Sequence, residues 1–232
     1  FQINRLGMDS IRIYEPGSWG APLLEFSTGE SSNPHQAALC ANQLLVTLYG
    51  LDYIGVFDPD TGAQTGAVDL SAWDDGDGTP EASAMVIMED RAYVALQQFY
   101  NWESTSGTVI ELDCSDLEIT QTWTTGPSPS ISQVRGSTEE ILVSTGNWWA
   151  EDGHTQILDL ADGTLSEPFL LETEFGQDIY GVVATHDRRA VAIGYPIGGE
   201  DLHTIYCGDI DGGTFDTGPS LPNPLSGLAL IS

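Results

Sequence analysis

Short apolar runs with β-branched and aromatic residues recur along the chain, each bounded by Gly, Pro, Asp or Asn. One strand pattern follows a Pro-containing or acidic turn, at Ala37–Cys40, Ala84–Met88, Ile131–Val134, Gly181–Ala184 and Leu228–Ile231. The turn positions Pro34, Pro80, Pro129, Ile179 and Pro224 are spaced by 46, 49, 50 and 45 residues. A tight turn and a second strand come next, at Leu44–Leu48, Ala92–Leu96, Ile141–Ser144 and Ala190–Ile193. A third run ends near an acid, at Ile11–Glu15, Ile54–Asp58, Val109–Asp113, Ile157–Asp159 and Ile205–Asp209. Turns such as Asp58-Pro59-Asp60-Thr61-Gly62 and Asp162-Gly163 lead into a fourth strand. No segment carries a helical period.

Four short antiparallel strands returning about every 46 residues predict an all-β chain, a β-propeller of four-stranded blades with five repeats visible. The units fall at about 1–32 with 223–232, 33–78, 79–127, 128–177 and 178–222 of one domain, 1–232. Phe1–Pro16 aligns with Leu44–Pro59, and Asn223–Ser232 with Asn33–Asn42, so the ends share a phase. Pairing of Leu228–Ile231 with Gln2–Asn4 would close a five-bladed ring and leave no open edge. The rival is a fragment of a six- to eight-bladed ring.

The course of Leu44–Gly62, LLVTLYGLDYIGVFDPDTG, resembles YVTN-type and quinoprotein-like β-propeller repeats, and Trp73–Leu96 looks like acidic exported bacterial propeller lipoproteins. The resemblance implies a propeller fold and export to periplasm, cell surface or medium. It carries over no catalytic residue. A docking Trp after the Asp-x-x-Thr-Gly turn, a sialidase-type Asp box, repeated Trp-Asp signatures, a Gly-x-Ser-x-Gly elbow and a phosphate loop are all missing.

Charge narrows the partners. Thirty-five acidic residues face six basic ones, all Arg, for a net charge of −29. Such a chain repels phosphate backbones and anionic lipid, and no apolar run is long enough to insert in a membrane. Cys40, Cys114 and Cys207 lie far apart with no Cys-x-x-Cys, and the expectation is three small, buried core residues.

The distinctive side chains gather in two loop classes that open on one face: the loops joining second to third strands, and those joining one blade to the next. The first class places Phe99, Tyr100, Trp102 and Glu103 in one blade, Trp148, Trp149, Glu151, Asp152 and His154 in another, and Tyr195, Glu200, Asp201 and His203 in a third. Tyr100, Trp102, Trp148, Trp149 and Tyr195 are the candidate binding rim for a protein, peptide or glycan. Glu151-Asp152-Gly153-His154-Thr155 and Glu200-Asp201-Leu202-His203-Thr204 repeat one E-D-x-H-T element, whose carboxylates and imidazoles suit a metal or an acid–base pair, against the plainer reading of inherited turns. Asp74-Asp75-Gly76-Asp77-Gly78-Thr79-Pro80-Glu81 offers the hard oxygens of Asp75, Asp77 and Glu81 to Ca²⁺, against ordinary turn chemistry. His35, at the start of a first strand, reads as a structural hydrogen-bonder. Three functions compete: a non-catalytic binding module, a metal-assisted hydrolase or lactonase-like enzyme, and a structural segment of a larger exported protein.

Overall fold

The computed structural model describes residues 1–17, 20–148, 150–196 and 202–222. The expected pairing of Leu228–Ile231 lies outside the described residues. Among the described residues twenty strands appear in chain order: β1 Gln2–Asn4, β2 Ser10–Ile13, β3 Leu24–Ser27, β4 Pro34–Cys40, β5 Gln43–Leu48, β6 Tyr53–Phe57, β7 Gln64–Asp69, β8 Ala82–Met88, β9 Arg91–Leu96, β10 Gly107–Asp113 and β11 Ile119–Thr125. They continue as β12 Ser130–Gln133, β13 Glu140–Thr145, β14 His154–Asp159, β15 Thr164–Leu165, β16 Leu170–Leu171, β17 Gln177–Ala184, β18 Arg189–Pro196, β19 Leu202–Asp209 and β20 Thr214–Pro222. A 3-10 turn at Ser71–Trp73 and one helical turn, α1 at Glu172–Phe175, are the helical elements among the described residues.

The strands form five antiparallel up-and-down sheets: β1–β3, β4–β7, β8–β11, β12–β16 and β17–β20. The first sheet has three described strands, which correspond to the second, third and fourth of the others. In the fourth sheet the outer strand is split. β15 and β16 both pair with β14, and Pro168, which has no N–H to give the ladder, lies between them.

Two compact units divide the chain, Phe1–Thr124 and Thr125–Ser232. In the first, β5 is mostly apolar because both its faces are covered, and its one polar interior residue, Thr47, is buried with its hydroxyl donating to Ser83 O at 2.7 Å. Leu44, Val46 and Leu48 pack with Ile11 and Phe57 toward the first sheet, whereas Leu45 joins Ile54, Val56, Met85, Val94, Ile110 and Leu112 toward the third. Period-two alternation thus sends successive side chains into two different cores. Full burial of each large aliphatic side chain contributes about 1.5–3 kcal/mol. In the second unit Leu142, Ile157, Leu170, Ile179, Val182, Ala192 and Tyr206 form the cluster between its two sheets.

The cysteines depart from their sequence reading in two ways, a pairing and the place of Cys207. Cys40, at the end of β4, and Cys114, just after β10, are buried and joined by a disulfide 74 residues apart, while Cys207 is exposed rather than in the core. Spacing along the chain could not show the pair, because neighbouring sheets bring the two Cα atoms to 5.1 Å.

The first strands of the second, third and fifth sheets begin irregularly. Register shifts fall between Pro34 and Gln36, Ala82 and Met85, and Ile179 and Gly181. Such bulges redirect side chains at strand ends, and these lie at the same end of the sheets as the loops between second and third strands.

Candidate functional site

In the first unit the site is built on the segment from β9 to β10. Gln97 N and Gln98 N donate to the carbonyls of Glu81 and Pro80 at 3.2 and 3.3 Å, and the Gln98 side chain reaches Trp73 O and receives Thr108 Oγ1. Glu103 N returns to Tyr100 O at 3.1 Å, closing a turn whose central residues, Asn101 and Trp102, have φ of 52° and 70°. Positive φ at both centres is the pattern of a type I′ turn; Asn tolerates it, whereas a bulky aromatic there is uncommon. The turn holds Trp102 out at 88% exposure and Tyr100 at 47%, with Phe99 edge-on to Trp102 at 6.4 Å. Asp75, Gln98, Tyr100, Asn101, Glu103, Thr105 and Ser106 line a cleft of about 360 Å³ beside this turn.

The acidic loop next to it is first of all a set of turns. Asp74 Oδ1 accepts Gly76 N and Gly78 N, both at 2.8 Å, and Asp77 Oδ1 accepts Thr79 N and Oγ1, both at 2.9 Å. The two backbone donors hold the Asp74 carboxyl below its ordinary range. Asp75 differs. Its Oδ1 is shielded from solvent without a hydrogen-bond partner, and burial, then the charge of Asp77, pushes its carboxyl up. Asp74, Asp75 and Asp77 bring ligand atoms within 4.8 Å of one another, the one such group of three among the described residues. Glu81 does not join them. It is buried, accepts Phe99 N at 2.7 Å and the Thr79 hydroxyl, and burial raises its carboxyl to about 7.

A second buried carboxylate does the same work in the second unit. Glu172, 1% exposed in α1, accepts Gly153 N at 2.7 Å and Ile179 N at 2.8 Å, and burial raises it to about 7. It ties the β13–β14 loop to the start of β17. Gly153 is required there, since a Cβ would lie 2.3 Å from Thr145 O and 2.5 Å from the Glu172 carboxyl. Asp9 follows the pattern in the first sheet, buried and accepting Ser31 N and Asn33 N, both at 3.1 Å. A buried acid that receives two donors keeps its lone pairs satisfied and fixes the loops that supply them.

The remaining expected residues are placed differently. Trp148 is 67% exposed in the β13–β14 loop, and Asp152 there accepts Asn147 N and Nδ2, both at 2.8 Å. Glu151 is exposed. His154 belongs to β14 rather than the loop, with Nδ1 3.3 Å from Thr145 Oγ1 and Nε2 2.8 Å from Gln156 Oε1. Tyr195 is half-buried in β18, and His203 is buried in β19, their rings 5.2 Å apart. These three sit in strands because the ladders run further than the turn residues suggested. Trp149, Glu200 and Asp201 lie outside the described residues.

One group near the first strand of the second sheet was not fully anticipated. His35 stacks on Tyr49 at 5.7 Å, and Arg5 lies over the same Tyr ring at 5.8 Å while donating to Asn33 Oδ1 at 3.0 Å. Burial, aided by the Arg5 charge, lowers His35 to about 4, and burial raises Tyr49 to about 12. His35 is therefore neutral near pH 7, held by ring stacking on Tyr49.

No protein-family profile matches the chain, and no curated protein matches it. Solved structures do. The chain is similar to Kuenenia stuttgartiensis hydrazine synthase at 13% identity and a TM-score of 0.61, covering 90% of this chain and 53% of that one. A structure of the mitotic checkpoint complex aligns at 11% identity and 0.64, covering 95% and 60%. The Dos1 propeller aligns at 12% identity and 0.55, covering 83% and 48%. The chain thus spans roughly half to three fifths of the length of these neighbours. At such identities the likeness shows the fold alone, and the fold is a β-propeller.

Proposed function

We propose that the chain is a non-catalytic binding module of YVTN-like propeller type, one domain in extent, that engages a protein, peptide or glycan through the loops joining its second and third strands. The single observation that carries this reading is Trp102, 88% exposed on a turn braced by Glu81, Trp73 and Thr108. A braced, exposed ring offers a large contact area with little entropy left to lose on binding. Trp148 has the corresponding place in the second unit. Hydrolysis is the weaker reading, because His154 already has a protein partner at each ring nitrogen and His203 is buried beside Tyr195.

Export is part of the proposal. The Cys40–Cys114 disulfide supports it, since cytosolic thiols are kept reduced. The solubility conferred by a net charge of −29 suits the same setting.

Peptide and glycan arrays probed with the folded chain test the reading. A captured ligand should protect the amides of 97–106 or 146–148 from hydrogen exchange. Capture that protects only other segments, or no capture at all, contradicts it and favours a structural segment.

A further inference from the structure

The cleft beside Trp102 has a chemistry that narrows the occupant. Two acidic residues, Asp75 and Glu103, stand among its lining residues with Gln98, Tyr100, Asn101, Thr105 and Ser106, and none of the seven is basic. Asp74 and Asp77 add negative charge next to Asp75. The Oδ1 of Asp75 is the oxygen shielded from water with no donor to satisfy it. A carboxylate held in this state gains from a positive charge placed beside it. The exposed aromatic faces of Tyr100 and Trp102 stand on the same turn. Carboxylates that accept planar donors, beside aromatic faces, match a guanidinium better than a compact ammonium ion.

We propose that this cleft takes the arginine side chain of a basic segment on a partner protein. The inference rests on the reading of these loops as a binding surface, and it names the occupant. The guanidinium donates to Asp75 and Glu103, and Tyr100 or Trp102 stacks on its face. A net charge of −29 draws a basic partner toward the chain over long range and leaves the choice of contact to the cleft.

The test is an amide chemical-shift titration of the full chain at fixed ionic strength. The probe is an acetylated, amidated pentapeptide with arginine at its centre and glycine elsewhere, compared with its citrulline analogue. The arginine peptide should shift the amides of 98–106 and of Asp75, and the citrulline peptide should not. Asp75→Asn with Glu103→Gln should weaken binding about tenfold or more, and Trp102→Ala about two- to fivefold. Asp60→Asn with Glu118→Gln, the same charge change on exposed turns at the far ends of their strands, should leave binding within about twofold.

Equal shifts from the citrulline peptide overturn the proposal, as does equal weakening by the distant charge pair. Should the arginine dependence fail while an array ligand still protects 97–106, the binding surface stands and only its cationic occupant falls. Should that protection also be missing, both readings fall.

Discussion

The two units of the chain brace their loops by different means. In Phe1–Thr124 the second and third sheets are joined covalently by Cys40–Cys114, and Gln36 reaches across to Met85 through both its amide oxygen and nitrogen. Glu81 then pins the aromatic turn with one backbone donor and one hydroxyl. In Thr125–Ser232 the described links between the two sheets are non-covalent. Arg188 pairs with Glu140 at 2.5 Å, Arg135 N bonds Ala184 O, and Glu172 ties Gly153 to Ile179 with two backbone donors. One blade grammar therefore tolerates either a staple or a set of charged contacts, and the two units should respond to different insults.

The largest expected effect is covalent. Cys40→Ala with Cys114→Ala should cost the first unit about 2–5 kcal/mol. Hydrogen exchange should then speed up across β4–β11 while β12–β20 keep their protection. Equal loss in both units would break the comparison.

Next comes the pair of buried acids. Glu172→Gln places an NH₂ group against a backbone N–H, so one donor is orphaned, at a cost of about 1–3 kcal/mol. Glu81→Gln should cost less, because the Thr79 hydroxyl can turn from donor to acceptor. Urea unfolding of the two variants reads this difference, and equal losses would contradict it.

The pH response of the same groups sharpens the contrast with the disulfide. Burial raises both carboxyls from 4.5 to about 7. Between those values the folded chain holds protons that the unfolded chain has released, so stability falls as pH rises through that window. Thermal melting from pH 5 to pH 8 should show this decline, with a shallower slope in each Gln variant. An unchanged slope in both would refute the assignment. The smallest effect belongs to Arg188→Ala, below about 1 kcal/mol and shrinking further in salt, since the pair is partly exposed.

The sheets were legible because each blade must bury both faces. Runs such as Leu44–Leu48 have no solvent-facing side to confuse with a loop, and their return every blade sets the period. Exposure of Trp102 and Trp148 followed from their place between second and third strands. The disulfide was not legible, because the pairing of Cys40 with Cys114 depends on which sheets are neighbours. Nor was the role of Glu172, since nothing local says that a carboxylate will be enclosed, although the apolar run Phe169–Leu171 just before it was the available hint. His154 and His203 looked like loop ligands because their E-D-x-H-T setting is turn-like, yet the strands extend through both.

The measurement that bears most directly on the binding face is a paired one on the Trp102→Ala and Trp148→Ala variants: melting and ligand capture in the same preparation. Side chains that serve the partner rather than the core should leave stability within about 1 kcal/mol of the parent while capture drops about twofold or more in one variant. Unfolding of both variants, or full capture by both, would contradict the account.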